Sequence, residues 1–226
     1  MQKWVARQKR RFDNDSQNKK YANHNWIVHK SIIKSHLDEF NRIAHGLGFN
    51  LIVDDYSIEK SGLGYDGLSI QFQTSFTGNM IELKEENSRV FNYHKQKGAI
   101  LHVTFSGTGT VQVFLEPSTS EDSMAIHNAL LLYYTPNAKS ITPEMIDRWL
   151  KFLFAYQRVT GVLHTPSLMD KVTVFWCKGK SFFMMYDTPK TKFKRYAGIY
   201  IPGVTLLVSL LVLILTIYTL TLQPQC

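Results

Sequence analysis

The chain has 226 residues, and its 26 Lys and Arg against 18 Asp and Glu leave a formal net charge of +8 at pH 7, a surplus that by itself points to nucleic acid or an acidic membrane surface. Hydrophobic residues make up 44%, with 14 Phe, 11 Tyr and 4 Trp, which is enough for a real core and excludes a largely disordered chain. Two cysteines exclude a disulfide scaffold and a zinc site built from cysteine alone.

Residues 1–24 are polar and basic, with Lys3, Arg7, Lys9, Arg10, Arg11, Lys19 and Lys20 against Asp13 and Asp15. Few apolar anchors interrupt them, so a flexible arm is expected. Asn25 to Gly48 follows with Trp26, Ile33, Leu37, Phe40, Ala44 and Leu47, a spacing that keeps one helical face apolar until Gly46 and Gly48 stop it. A helix packed on a sheet is the favoured reading, with a coiled-coil seam as the alternative.

Strand-like segments come next: Phe49 to Val53, Leu68 to Phe76, Met80 to Leu83, Arg89 to His94, Ile100 to Phe105 and Thr110 to Glu116. Leu68, Ile70 and Phe72 alternate with Ser69, Gln71 and Gln73, and period-two alternation with short links predicts an antiparallel meander. Ala125 to Tyr134 is left open between helix and buried strand. Thr142-Pro143-Glu144 is a helix start, with a capping hydroxyl, proline at the first helical position and an acid near the positive end of the dipole. That helix is expected from Pro143 to about Thr160, apolar over most of its circumference. Val172 to Trp176 and Ser181 to Tyr186, linked by Cys177-Lys178-Gly179-Lys180, read as a hairpin.

The run Gly62-Leu63-Gly64-Tyr65-Asp66-Gly67 has dinucleotide-loop spacing, but an alternating strand follows it where that chemistry needs a helix. A hairpin loop accounts for it better. Eight histidines include no zinc motif, so neither a metal nor a cofactor is expected. His102 reads as a satisfied strand residue. Asp54 and Asp55 are neighbours, as are Glu85 and Glu86; in strands such neighbours face opposite ways, so no acid–base pair is pre-formed and no enzyme signature emerges.

From Tyr196 to Cys226 there is no charged side chain, and Ile199 to Leu222 is almost wholly apolar. As a helix this stretch would be about 36 Å long, enough to cross a hydrocarbon core of about 30 Å. Lys190, Lys192, Lys194 and Arg195 lie just before it, whereas residues 223–226 carry no basic side chain, which by the positive-inside rule places the N-terminal part in the cytosol and the C-terminus outside. On a helical projection Thr205, Ser209, Thr216 and Thr219 fall within an arc of roughly 80°. They read as a self-association seam, a hydroxyl-lined pore, or hydroxyls satisfied on their own backbone.

The +8 is unevenly placed. Residues 25–170 hold 12 basic and 15 acidic side chains, while the surplus sits in residues 1–24 and 171–195. The second cluster, around Lys190, Lys192, Lys194 and Arg195, is explained by topology and anionic lipid, leaving Lys9, Arg10, Arg11, Lys19 and Lys20 as the candidate contacts for an anionic ligand.

The expected organisation is therefore a basic arm (1–24), an α+β domain (25–187) whose antiparallel sheet packs with an N-terminal helix and a second long helix, a basic linker (188–198), a transmembrane helix (199–222) and a short outer tail (223–226). A soluble sensor joined to a minimal span resembles, in layout alone, the transmembrane effectors of bacterial anti-phage nucleotide-signalling systems. That resemblance implies a homo-oligomeric, tail-anchored effector that senses a nucleotide or oligonucleotide-like ligand and opens or disrupts the membrane. The alternatives are a tethered adaptor that recruits a protein partner, and a tethered enzyme with an unrecognised site.

Overall fold

The computed structural model describes residues 2–57, 65–85, 88–106 and 109–185, and in the C-terminal stretch residues 205, 208, 209, 211–213 and 216. The chain divides into two units, Met1–Met184 and Met185–Cys226. The fold is α+β with antiparallel sheets and helices.

The first element is one helix, α1 (Gln2–Gly46). It takes in residues 2–24, where an arm was expected. No Gly or Pro interrupts the chain before Gly46, and Lys, Arg, Gln and Ala are good helix formers, so the turns that pack on the body continue into the basic segment. Among the described side chains, α1 buries them from Ala22 onward, with Trp26, Ile33, Leu37 and Ala44 on one stripe. Its end is a Schellman motif: Gly48 has φ +86°, Phe49 N–H donates to the Ala44 carbonyl and Gly48 N–H to that of His45, both at 3.0 Å.

Two antiparallel sheets follow where a single meander was expected. β1 (Leu51–Tyr56), β2 (Tyr65–Phe72), β5 (Ile100–Ser106), β6 (Val111–Glu116) and β8 (Leu130–Thr135) form the larger one, in the order β1-β2-β5-β6-β8. β3 (Ser75–Glu85) and β4 (Ser88–Lys97) form a hairpin that leaves this sheet and is joined by the short β7 (Thr119–Ser120). The expected strand from Leu68 to Phe76 is thus cut at Phe72, and the segment left open between helix and strand is a strand over Leu130–Thr135.

Register sets the core. Leu68 pairs with Val103 and Ile70 with Leu101, and these in turn oppose Val113 and Leu115, so one face of the larger sheet is a continuous apolar layer, almost wholly buried. Trp26 of α1 lies flat on Phe105, with ring centroids 5.1 Å apart and planes at 7°. The second long helix, α2 (Pro143–Thr160), has the bounds its sequence predicts. It buries Ile146, Trp149, Leu150, Leu153 and Tyr156, and Ala155 on its opposite side is buried too, in keeping with burial on more than one side.

The expected hairpin at Val172–Tyr186 is instead a helix, α3 (Leu168–Met185). Ser167 and Asp170 form a reciprocal cap: Ser167 N–H donates to Asp170 Oδ2 at 2.9 Å and Asp170 N–H to Ser167 Oγ at 3.2 Å. Asp170, Val174, Cys177 and Ser181 are all buried, spaced by four, three and four residues, which is a helical stripe and not a strand alternation. Bulky aromatics favour strands only weakly against such a stripe.

Buried glutamines join these parts. Gln96 Oε1 accepts the Val162 amide at 2.7 Å and the Leu163 amide at 3.2 Å. Gln157 Oε1 accepts the Ala99 amide at 2.6 Å, where the strand turns beside Gly98; a Cβ at Gly98 would stand 2.4 Å from Phe72. Gln157→Leu removes the acceptor from a fully buried amide, and the expected loss is about 1–3 kcal/mol, read as a lower urea midpoint with an unchanged slope.

Among the described residues no helix is long and apolar enough to cross a membrane. Most of 199–222 lies outside the described residues; those that are described within it, from Thr205 to Thr216, are helical.

Candidate functional site

The residues singled out from the sequence fall in three places. Lys9, Arg10, Arg11, Lys19 and Lys20 are exposed on the N-terminal half of α1 and spread around its circumference; they do not converge on one pocket. Nearest the body, the Lys19 side chain and Ala22 pack against the β5–β6 turn at Gly109, where an added Cβ would stand 3.2 Å from Ala22. Ser209 Oγ donates to the Thr205 carbonyl and Thr216 Oγ1 to that of Val212, both at 2.8 Å, which is the bonding of hydroxyls to their own helix. Thr219, and the basic group Lys190, Lys192, Lys194 and Arg195, lie outside the described residues.

A charged cluster absent from the sequence reading sits where α1 crosses β1 and β2. Lys30 Nζ lies 2.6 Å from both Asp55 and Asp66, and the Trp26 indole N–H donates to Asp66 at 3.0 Å. Burial works to lower the Lys30 pKa, and the hydrogen bonds and charges of Asp55 and Asp66 outweigh it, so the net shift is upward from 10.5. A signal was present: Lys30 stands on the same stripe as Trp26 and Ile33, and Asp55 and Asp66 are in phase with Val53 and Leu68. Charges on apolar faces demand partners.

On the opposite face of the same strands Asp54 accepts from Gln71 at 3.2 Å, so the two neighbouring aspartates do point apart. Tyr56 lies across Gly67, where a Cβ would stand 2.9 Å from its ring. This is the use found for the last glycine of the Gly62 to Gly67 run. The Tyr56 hydroxyl is 3.2 Å from His102 Nδ1, and His102 Nε2 is 3.5 Å from Glu116, within ionic reach but without a hydrogen bond. Burial lowers the His102 pKa from 6.5, with Glu116 opposing. The expected satisfied strand histidine is therefore met only at Nδ1: the buried Nε2 has no hydrogen bond among the described residues, and the cross-strand neighbour of His102 on β2 is the buried Ser69. No group of three His, Cys, Asp or Glu placed to hold a metal ion occurs among the described residues.

A cleft of about 640 Å³ opens between the last turns of α1, one side of α2 and the first turns of α3, within the size range of small-ligand sites. Its floor is aromatic: Phe154 meets Phe40, Phe49 and Phe72 edge to face at 4.9–5.9 Å. Arg158 closes one end on the buried Asp170 at 2.6 Å. Burial works to raise the Asp170 pKa, but the Ser167 hydroxyl and amide and the Arg158 guanidinium bring it below the usual value. On the other side Asp147 is bound to His36 at 2.7 Å. Arg148 and Lys151 also line the cleft.

Comparison with protein-family models, curated proteins and solved structures finds no match for the chain. Its function has to be argued from these sites.

Lys30→Met leaves two carboxylates facing each other beneath α1 and should lower stability by about 2 kcal/mol; Asp55→Asn in the same background should restore part of it, both read by urea unfolding. His102 titrates below its unfolded value, so its contribution is present above pH 6.5 and is lost as pH falls through the folded pKa. His102→Gln should flatten the stability profile below pH 6.5 relative to the parent.

Proposed function

We propose that this protein is an oligomeric, membrane-anchored sensor whose α+β domain faces the cytosol, binds an anionic ligand, and acts through a single C-terminal span that assembles into a pore or disrupts the bilayer. The observation that carries the reading is the charge-free run from Tyr196 to Cys226 directly behind Lys190, Lys192, Lys194 and Arg195. A run of that length is a transmembrane helix by the size of the hydrocarbon core, and the basic collar supplies the orientation. Small and hydroxylated residues on one helical face support close approach of several copies, although the Ser209 and Thr216 hydroxyls also bond to their own helix.

Separation of charge supports ligand sensing over general adhesion to acids. The domain body carries more acidic than basic groups, so an anion would be drawn to local cationic sites: the exposed first turns of α1, or Arg148 and Lys151 in the cleft.

The adaptor reading has an observation of its own. One face of the β3–β4 hairpin exposes Phe76, Met80, Phe91 and Tyr93, with Lys95 over the Phe76 ring at 5.7 Å. Exposed aromatic patches of this kind mark interaction surfaces. In the adaptor case the span only anchors.

The cysteines test the topology. Cys177 is buried and its thiol is pushed up to about 11 by burial, so it reacts poorly near neutral pH. A membrane-impermeant maleimide applied to intact cells should label Cys226 alone; labelling that requires lysis reverses the orientation. Changing Thr205, Ser209, Thr216 and Thr219 together to Leu should reduce both oligomer size in detergent and depolarisation on expression. Depolarisation that persists unchanged removes the seam, and a strict monomer removes the pore.

A further inference from the structure

The cleft between α1, α2 and α3 has unusual walls. Ile43 is 50% exposed, Leu47 74% and Met169 71%, so three large apolar side chains from two helix ends stand in water around one opening. Leu47 is there because the Schellman motif ends α1 at Gly46 and turns the chain back at Gly48, which carries Leu47 off the buried stripe. Beneath this rim is the aromatic floor centred on Phe154. Such a surface gains by covering itself.

The charges in the cleft select the cover. Both carboxylates are engaged, Asp147 by His36 and Asp170 by Arg158. Arg148 and Lys151, three residues apart on α2 and so on one side of it, form no ion pair among the described residues. The ligand therefore needs an anionic head beside an apolar body. A nucleotide is a poor match, since Thr173 is the one uncharged polar side chain on the walls and a base edge would go unread. A small amphiphile is the better match, because about 640 Å³ is the size of small-ligand sites.

We infer that this cleft binds a long-chain fatty acid, its carboxylate paired with Arg148 and Lys151 and its acyl chain laid over Phe154 between Leu47 and Met169. A guanidinium holds a carboxylate in two parallel hydrogen bonds, and the acyl chain removes apolar rim from water. The inference deepens the ligand-sensing reading above and rests on it, because a membrane-anchored domain has acyl chains at hand.

The test is photolabelling of the full-length protein in phosphatidylcholine nanodiscs with a diazirine analogue of palmitate, followed by peptide mapping. Saturable labelling is expected on peptides covering residues 40–49, 147–158 and 168–173, displaced by palmitate and not by hexadecanol. The double variant R148Q/K151Q, altered at two exposed positions, should lose about tenfold in cleft labelling. Ile43→Trp, at a half-exposed position on the cleft rim, crowds the opening and leaves both cations in place; it should lose labelling as well, and unchanged circular dichroism of both variants shows that they fold. The apolar stretch 199–222 serves as internal standard. Equal displacement by hexadecanol, labelling indifferent to R148Q/K151Q, or displacement by a nucleoside triphosphate at the same concentration overturns the assignment, the last in favour of a nucleotide site. Failure of the membrane reading is seen separately, as protein released by alkaline carbonate that does not enter nanodiscs, while cleft labelling is still measured in solution.

Discussion

The packing of one stripe of α1 on one face of the larger sheet is the constraint from which the rest follows. Trp26 is its centre: 2% exposed, stacked on Phe105 and donating to Asp66. The ring pair adds about 0.5–1.5 kcal/mol beyond burial, and the indole N–H fixes the helix along the strands. Lys30, one turn on, clamps Asp55 and Asp66 together, so that β1 and β2 are tied to α1 by charge as well as by apolar contact. A clamp of this kind adds specificity more than stability, because three charges have lost part of their water.

With α1 so placed, the positions of its two ends are decided. Its C-terminal end lies beside α2, linked by His36 and Asp147, and the Schellman turn there shapes one wall of the cleft. Its N-terminal half, before Ala22, has passed beyond the sheet and exposes its basic and aromatic side chains alike. Helical order in that half is inherited from the packed half, since propagation of a helix is cheap once it has been nucleated. The basic residues are thus displayed around an exposed helix and do not converge on one pocket.

Several polar groups in the interior are spent on geometry, while Asn41 Oδ1, His102 Nε2 and Ser118 Oγ are buried without a hydrogen bond among the described residues. Gln157 supplies an acceptor for the Ala99 amide between β4 and β5 and Gln96 for the Val162 amide just past α2, Thr160 accepts from the Ser118 amide, and Ser181 accepts from the Leu131 amide on β8. Each satisfies a backbone amide that secondary structure leaves without a partner. Tyr56, His102 and Glu116 are likewise joined to one another across β1, β5 and β6. The cations at the cleft differ from these: among the described residues Arg148 and Lys151 form no ion pair, which is what favours the cleft over the strand cluster as the proposed ligand site.

Local chemistry alone was enough for several features. The start of α2 follows from Pro143 and Glu144, although Thr142, expected as a capping hydroxyl, makes no side-chain cap hydrogen bond; the alternation of β2, β5 and β6 follows from their period of two, and the opposed directions of Asp54 and Asp55 from strand geometry. The unequal charge distribution is also a property of the chain as written. Tertiary structure decided what locality leaves degenerate. Val172 to Met185 has strand-like composition, yet it is helical because Ser167 and Asp170 cap it and the Asp170 to Ser181 stripe is buried. The excursion of the β3–β4 hairpin out of the larger sheet depends on β2 pairing with β5, a long-range choice that alternation cannot rank. Lys30, Asp55 and Asp66 were legible as charges on apolar stripes, but their meeting, like the convergence of Leu47, Arg148 and Met169 on one cleft, required three elements distant in sequence to be brought together by burial of the same apolar surface.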